Sequence, residues 1–373
     1  MADAYYIGLM SGTSLDGVDA VLARFDDDGK PEVLARAEQA FPAALRAEFL
    51  SLNQSGADEL ARSSLAANAL CELYANAVEE VLRQSGLRRE QISALGAHGQ
   101  TVRHQPGLGY TIQINSPALL AELTQIDVIA DFRSRDVAAG GQGAPLVPFF
   151  HAGVFKSEST RVVLNLGGIA NITILTPGRD PIGFDTGPAN VLMDEWCFKH
   201  TGQLFDRDGA WGATGQVHQR LLAHLIASEP WFSLPAPKST GRDLFHQAWL
   251  ESRLAEVERY QETTDPVAAN DIQATLCALS AETVAQAIHA QAPDVAHLLV
   301  CGGGARNSLL LNELRLRLRC EVATTDSVGI GTQDVEALAF AWLAWAHQRQ
   351  IPVSNPAVTG ARGARILGAT WPK

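Results

Sequence analysis

The sequence predicts an α/β protein of two domains. Short β-prone apolar runs alternate with stretches of helical periodicity. A strand, glycine turn, strand unit near the start has a counterpart in mid-chain. The 373 residues, at roughly 150 per domain, make about two domains.

The first unit joins Tyr5–Met10 to Val18–Phe25 through Ser11-Gly12-Thr13-Ser14-Leu15-Asp16-Gly17. The second joins Arg161–Leu166 to Ile172–Leu175 through Gly167-Gly168-Ile169-Ala170-Asn171. The two share a pattern rather than residue identity. Helices show as apolar stripes at i, i+3, i+4 spacing. Leu70, Leu73, Tyr74, Ala77, Val81 and Leu82 make one. Ile272, Leu276, Leu279, Val284 and Ile288 make another, with Asp271 as its expected N-cap. Leu310, Leu314 and Leu318 follow Asn307, a second expected cap. These stripes are core and carry no chemistry.

Composition removes several classes of function. Hydrophobic residues are 46% and charged residues 19%, too apolar a balance for intrinsic disorder. Lys and Arg number 29 against 41 Asp and Glu, a net charge of −12 without a basic cluster, so no nucleic-acid partner is expected. Five cysteines without a C-x-x-C pair argue against a disulfide framework or a zinc site and for a reducing compartment. Met1-Ala2-Asp3-Ala4 carries an acid where a secretory signal carries positive charge. The most apolar helical stretch, Ala337–Ala346, falls short of the ~20 residues of a bilayer span. The expectation is a cytoplasmic protein with no membrane partner.

Met10-Ser11-Gly12-Thr13-Ser14-Leu15-Asp16-Gly17-Val18-Asp19 is the densest polar turn. Small residues let backbone N–H groups approach an anion, and the hydroxyls add donors. Asp16 and Asp19 are suited to orienting magnesium through its waters. Val18 stands where a Walker A loop has its lysine, which disfavours a P-loop NTPase. An ordinary hairpin turn is the plain alternative, although it needs fewer special residues. Asn165–Asn171 is a second such turn, and the two together suit one phosphate chain. Leu298–Asn307 runs an apolar strand into Gly302-Gly303-Gly304 ahead of a helix, where a base or ribose fits against bare backbone. Asn307 occupies the last position of G-x-G-x-x-G, so a nicotinamide site fits poorly.

Asp185-Thr186-Gly187 matches the aspartic-protease triplet, but no second copy exists to share a proton. The remaining readings are a general base on a tight turn or a structural aspartate. His98 and Gln100 are suited to sugar hydroxyls or a carboxylate, and Arg133 to a bidentate carboxylate clamp. A lone histidine or arginine is more often structural. No H-E-x-x-H or comparable metal spacing occurs. Asp334 and Glu336 open the helix that runs through Trp345, where acids offset the helix dipole.

Taken in order along the chain, Gly8–Asp19, His98–Thr101, Ile114–Pro117, Asp131–Pro148, Asn165–Asn171, Gly183–Asn190, Lys238–Phe245, Cys301–Asn307 and Gly331–Ala337 resemble the anhydro-N-acetylmuramic acid kinase family of bacterial cell-wall recycling. The resemblance implies the actin-like, sugar kinase and heat-shock ATPase superfold, two ribonuclease H-like domains with nucleotide in the interdomain cleft. The domains expected are 1–130 with 350–373, and 131–349. The implied reaction takes 1,6-anhydro-N-acetylmuramic acid, ATP and water to N-acetylmuramic acid 6-phosphate and ADP. Asp185 looks like the base that activates water. Gly12, Thr13, Ser14 and Asp16 match the first phosphate loop, Gly167 and Gly168 the second, and Gly302, Gly303 and Asn307 the adenosine-side loop. His98, Gln100, Arg133 and Glu336 are the candidate substrate contacts. Mg2+ is expected on phosphate oxygens and waters near Asp16, with no direct protein ligand, and a homodimer is implied. Rival readings are a kinase for another sugar, an ATP-dependent chaperone of the same superfold, and an aspartic hydrolase.

Overall fold

The computed structural model describes residues 4–12, 15–236, 238–259, 267–353 and 356–373. The chain divides into two units, Met1–Val154 with Asp334–Lys373, and Phe155–Gln333. Five helices frame their sheets: α1 (Glu59–Ser85), α2 (Asn190–Thr201), α3 (Ala269–Gln291), α4 (Ser308–Arg317) and α5 (Val335–Gln348).

In the first unit, β1 (Ala4–Met10), β2 (Gly17–Phe25) and β3 (Pro31–Ala40) form an antiparallel meander. β4 (Ile92–Ala97) pairs parallel with β1, and β7 (Val128–Ala130) parallel with β4. The C-terminal β13 (Ala369–Trp371) closes the edge antiparallel to β7. β5 (Gln100–Gln105) and β6 (Tyr110–Ile114) make a separate hairpin. Strand order is β13-β7-β4-β1-β2-β3.

In the second unit, β8 (Arg161–Leu166), β9 (Ile169–Leu175) and β10 (Ile182–Pro188) are the meander. β11 (His297–Cys301) and β12 (Glu321–Thr324) follow in parallel. The order β10-β9-β8-β11-β12 repeats that of the first unit, strand for strand and direction for direction, without its extra edge strand. Three antiparallel strands followed by two parallel ones is the ribonuclease H-like sheet, so the duplicated α/β architecture is present.

Side-chain alternation explains how each sheet is covered. Ile7 and Leu9 pack with Leu70, Tyr74 and Val81 of α1. Gly8 between them faces α5, and a Cβ there would lie 1.8 Å from the Ala337 carbonyl oxygen. Gly96 on β4 does the same against Phe340, at 2.0 Å. The α5 backbone thus rests directly on the sheet, which only glycine permits. This packing accounts for the apolar run at 337–346, every residue of which is buried in the core. Among the described residues no helix is long and apolar enough to cross a membrane.

The unit boundaries fall at 154/155 and 333/334 rather than at 130/131 and 349/350. Packing gives the reason. α5 belongs to the first sheet through Gly8 and Gly96, and residues 131–154 follow it. Phe150 meets Trp342 edge-on, and Asp136 accepts from the Thr359 hydroxyl at 2.7 Å. Arg133 and Glu336 therefore join His98 and Gln100 in one unit.

Asn307 caps α4 as expected, its Oδ1 accepting from the Leu310 N–H at 3.1 Å. Asp271 does not cap α3. The helix begins three residues earlier, with Ala268 at the cap position, and the Asp271 carboxylate instead accepts from the Gln216 N–H at 2.7 Å.

Candidate active site

Asp185 sits on β10 where the pairing with β9 slips by one residue. Asp185 opposes Asn171, and Gly187 already opposes Ala170. Such a bulge re-aims one side chain out of the sheet's alternation. The Thr186 hydroxyl donates to the Ala170 carbonyl at 3.2 Å and closes the bulge from inside. The Asp185 N–H donates to the Lys238 carbonyl at 3.0 Å, and the Thr240 N–H donates to Asp185 Oδ2 at 2.9 Å. Burial raises the carboxyl to about 6, against the pull of the Thr240 amide and the Ser239 hydroxyl. Among the described residues no second carboxylate contributes to this shift.

The two glycine turns of this unit pack against each other. Gly302 has φ +81°, and a Cβ there would meet Asn165 Oδ1 at 2.3 Å; one at Gly304 would meet Leu166 Cβ at 2.6 Å. These glycines are required by the fold. Gly167, Gly168 and Gly303 differ. Their backbones lie outside the left-handed region, and the nearest atoms to an added Cβ are 3.6, 3.8 and 3.7 Å away. The chain itself makes no demand for glycine at these three positions. A glycine at such a position leaves the backbone open to close approach. The Gly167 and Gly168 carbonyls are occupied by the N–H groups of Ala189, Asn190 and Val191, at 2.9–3.1 Å, which fixes the turn to the start of α2. Asn307 belongs to this neighbourhood through its cap, so its Oδ1 is committed to α4.

In the first unit, Ser11 and Gly12 leave β1, while Thr13 and Ser14 lie outside the described residues. The Ser11 hydroxyl donates to Gln100 Oε1, and Gln100 Nε2 donates to the Gly12 carbonyl at 3.3 Å. Both ends of this buried amide therefore hold the glycine loop. His98 is buried beside it, its N–H on the Leu9 carbonyl at 3.0 Å. Its Nε2 faces Arg133 Nε at 3.1 Å and Nη2 at 2.9 Å. Burial, and then the Arg133 cation, push the imidazole well below its ordinary pKa, so it is neutral and accepts at Nε2. Arg133 Nη1 donates to the Gly143 carbonyl at 2.8 Å, and burial lowers its pKa to about 10, still charged at neutral pH. One hydrogen on each Nη is not used in these bonds. Glu336 lies close enough to favour the charged guanidinium.

Asp16 is exposed, whereas Asp19 is not. Asp19 is raised to about 7, first by burial and then by Glu38, Glu336, Asp334 and Asp16. Among the described residues no group of three or more His, Cys, Asp or Glu side chains is placed to hold a metal ion.

Sequence reasoning did not assign a role to Lys238, Ser239 and Thr240, which touch Asp185 from more than fifty positions away. It also passed over the proton-holding character of Asp19. Lys238-Ser239-Thr240 opens the family-like segment Lys238–Phe245, but nothing in those residues by themselves points to Asp185. Asp19 was legible only as one acid in a polar turn, because its neighbours come from β3 and α5.

The family model for anhydro-N-acetylmuramic acid kinase matches residues 4–373. Relatives include the anhydro-N-acetylmuramic acid kinase of Bordetella petrii, 59% identical over 98% of this chain and 96% of the relative. That of Burkholderia cenocepacia is 54% identical over 100% of this chain and 97% of the relative. Among solved structures, Acidaminococcus fermentans (R)-2-hydroxyglutaryl-CoA dehydratase component A aligns with a TM-score of 0.48 and 14% identity, over 91% of this chain and 96% of that one.

Proposed function

The chain belongs to the anhydro-N-acetylmuramic acid kinase family and is a kinase, and from that premise we propose that it opens the 1,6-anhydro ring of anhydro-N-acetylmuramic acid with water and phosphorylates O6 from ATP. The products are N-acetylmuramic acid 6-phosphate and ADP, an entry step of cell-wall recycling. Asp185 takes a proton from water, and the water oxygen bonds to the anomeric carbon. The bond from that carbon to O6 breaks, O6 carries its electron pair to the γ-phosphorus, and ADP leaves. Asp185 then returns its proton to solvent. No separate base at O6 is needed, because ring opening generates the nucleophile.

The observation that carries this reading is a carboxyl held at about 6 on a strand bulge. A base of that strength is deprotonated at neutral pH yet basic enough to share water's proton in the transition state. Gly167, Gly168 and Gly303, where an added Cβ would make only ordinary van der Waals contact with the chain, support close contact with ATP. Gly12, Thr13, Ser14 and Asp16 complete the phosphate contacts, and Gly302 and Asn307 shape the adenosine side. His98, Arg133 and Glu336 hold the sugar, Arg133 through its remaining N–H groups to the lactyl carboxylate. Gln100 serves them by bracing the Ser11–Gly12 turn. Mg2+, carried by phosphate oxygens and waters, neutralises charge on the transferred group when bound.

We assign the enzyme to the cytoplasm, where ATP is supplied and where five free cysteines stay reduced, and to a homodimer. Asp185→Asn tests the reading directly. It should abolish both ring opening and ADP formation while leaving ATP affinity, measured by calorimetry, unchanged. Normal turnover in that variant overturns it. Reaction in 18O-labelled water should place the label at the anomeric carbon, an outcome an ordinary sugar kinase does not give.

A further inference from the structure

Lys238 is a half-buried cation. Burial lowers its pKa, and among the described residues no acidic side chain pairs with it. Its Nζ donates instead to two carbonyls, Phe232 at 2.8 Å and Trp231 at 3.2 Å, and lies 4.3 Å over the Trp231 ring. An apolar side chain in the same space would make neither of these two hydrogen bonds nor the contact over the ring. The ring beneath it is firmly placed. The buried Glu229 accepts from the Trp231 N–H at 3.1 Å and from Trp249 Nε1 at 2.9 Å, and Phe245 meets Trp231 edge-on. Trp231 Nε1 then donates to the Ser239 carbonyl at 3.1 Å.

Lys238 and Trp231 thus bolt residues 238–240 to one floor from two sides. The same three residues contact Asp185: the Lys238 carbonyl takes its N–H, and the Thr240 N–H binds Oδ2. The ammonium itself is not among the influences on the Asp185 carboxyl. Whatever Lys238 does to Asp185 therefore passes through the backbone.

We infer that Lys238 is a positioning residue for Asp185: its ammonium, anchored on the Trp231 and Phe232 carbonyls and the Trp231 ring, holds the Thr240 amide on Oδ2 and so fixes the orientation and proton affinity of the base. This rests on Asp185 being the base. When the anchor is lost, the carboxylate loses the hydrogen bonds that favour its charged form while its burial on β10 persists. Its proton is then held to higher pH.

The test is the acid limb of the kcat pH profile, with both substrates saturating, in K238M, K238R and W231F, beside thermal melts. K238M should move the limb upward by about one pH unit. K238R, which keeps donors and a cation over the ring, should return most of that shift. W231F, which removes the bond to Ser239, should move it the same way and decides the matter alone if K238M does not fold. An acid limb unmoved in K238M and W231F, whatever the melts show, overturns the inference, as does a downward move. Full activity with the wild-type limb in D185N instead removes the assignment of the base itself, so the two failures are distinguishable.

Discussion

Asp19 on β2 stands directly across from Glu38 on β3 in the antiparallel register, two acids on one face. Like charges in that position oppose the sheet unless one is neutral. With Glu336, Asp334 and Asp16 adding to burial, Asp19 holds its proton to about pH 7, against an ordinary value of 3.8. The folded chain binds this proton and the unfolded chain releases it. Stability from this group is therefore fully present below about pH 4 and is lost as pH rises to about 7. Asp19→Asn keeps the shape and removes the titration. It should leave stability at pH 4 nearly unchanged and raise it at pH 8 by about 4 kcal/mol. Denaturant unfolding at the two pH values checks this, and a variant equally destabilised at both refutes it.

The glycines separate into those the fold needs and those it does not. Gly8→Ala forces a Cβ onto the Ala337 carbonyl and should cost about 3 kcal/mol, with α5 pushed off β1. Gly167→Ala meets nothing closer than 3.6 Å, and in a backbone that alanine adopts it should change stability by less than about 1 kcal/mol. Its effect belongs to ATP: a methyl in the phosphate approach should raise the KM for ATP by about tenfold or more, roughly 1.4 kcal/mol. Melting temperature and ATP titration on the same two proteins separate the cases. A destabilised Gly167→Ala with wild-type ATP affinity would mean that this turn serves the fold alone.

Repetition made the architecture legible. The first glycine turn follows β1 and the second, Gly167–Gly168, links β8 to β9, each between paired strands, and the parallel strands follow in both units. Helical stripes in α1 and α4 were equally plain, because burial on one face leaves a periodic record, whereas α3 is buried on every side from Ile272 to Ala281. What escaped was long-range. α5 reads as the end of the second domain by position, and only its backbone contact at Gly8 and Gly96 returns it to the first. Asp185 was visible through its triplet, but its proton affinity depends on Thr240 and on burial. Neither has a signature at fixed spacing. Gln100 was legible as polar chemistry after a strand, but not which groups would engage it.

Gln100 offers a kinetic separation of two roles. Its amide is engaged by Ser11 and Gly12, so replacing the Nε2 donor should disturb the phosphate loop before the sugar. Gln100→Glu sets a carboxylate oxygen against the Gly12 carbonyl. It should raise the KM for ATP by about tenfold while the KM for the anhydro sugar stays within about twofold. Steady-state titration of each substrate decides. The opposite split would return Gln100 to direct contact with the sugar.

Asp185 gives the pH dependence of turnover its sign. The base works only as the carboxylate, and burial holds its proton to about 6. With substrates saturating, kcat should therefore fall as pH drops through about 6 and be flat above about 7. Asp185→Glu keeps the charge but carries it one methylene farther from the bulge at Asp185–Gly187. The Thr240 amide can then no longer hold the oxygen in the same place. A displacement of about 1 Å at a reacting group costs on the order of a hundredfold in rate, so this variant should retain weak activity where Asp185→Asn has none. The pair distinguishes a proton acceptor from a mere hydrogen-bonding partner. A base is lost entirely with the amide and weakened by the longer acid, whereas a structural partner tolerates asparagine better than glutamate. Initial rates from pH 5 to 9 for the three proteins supply the comparison, and a wild-type profile flat down to pH 5 would remove Asp185 from the proton-transfer step.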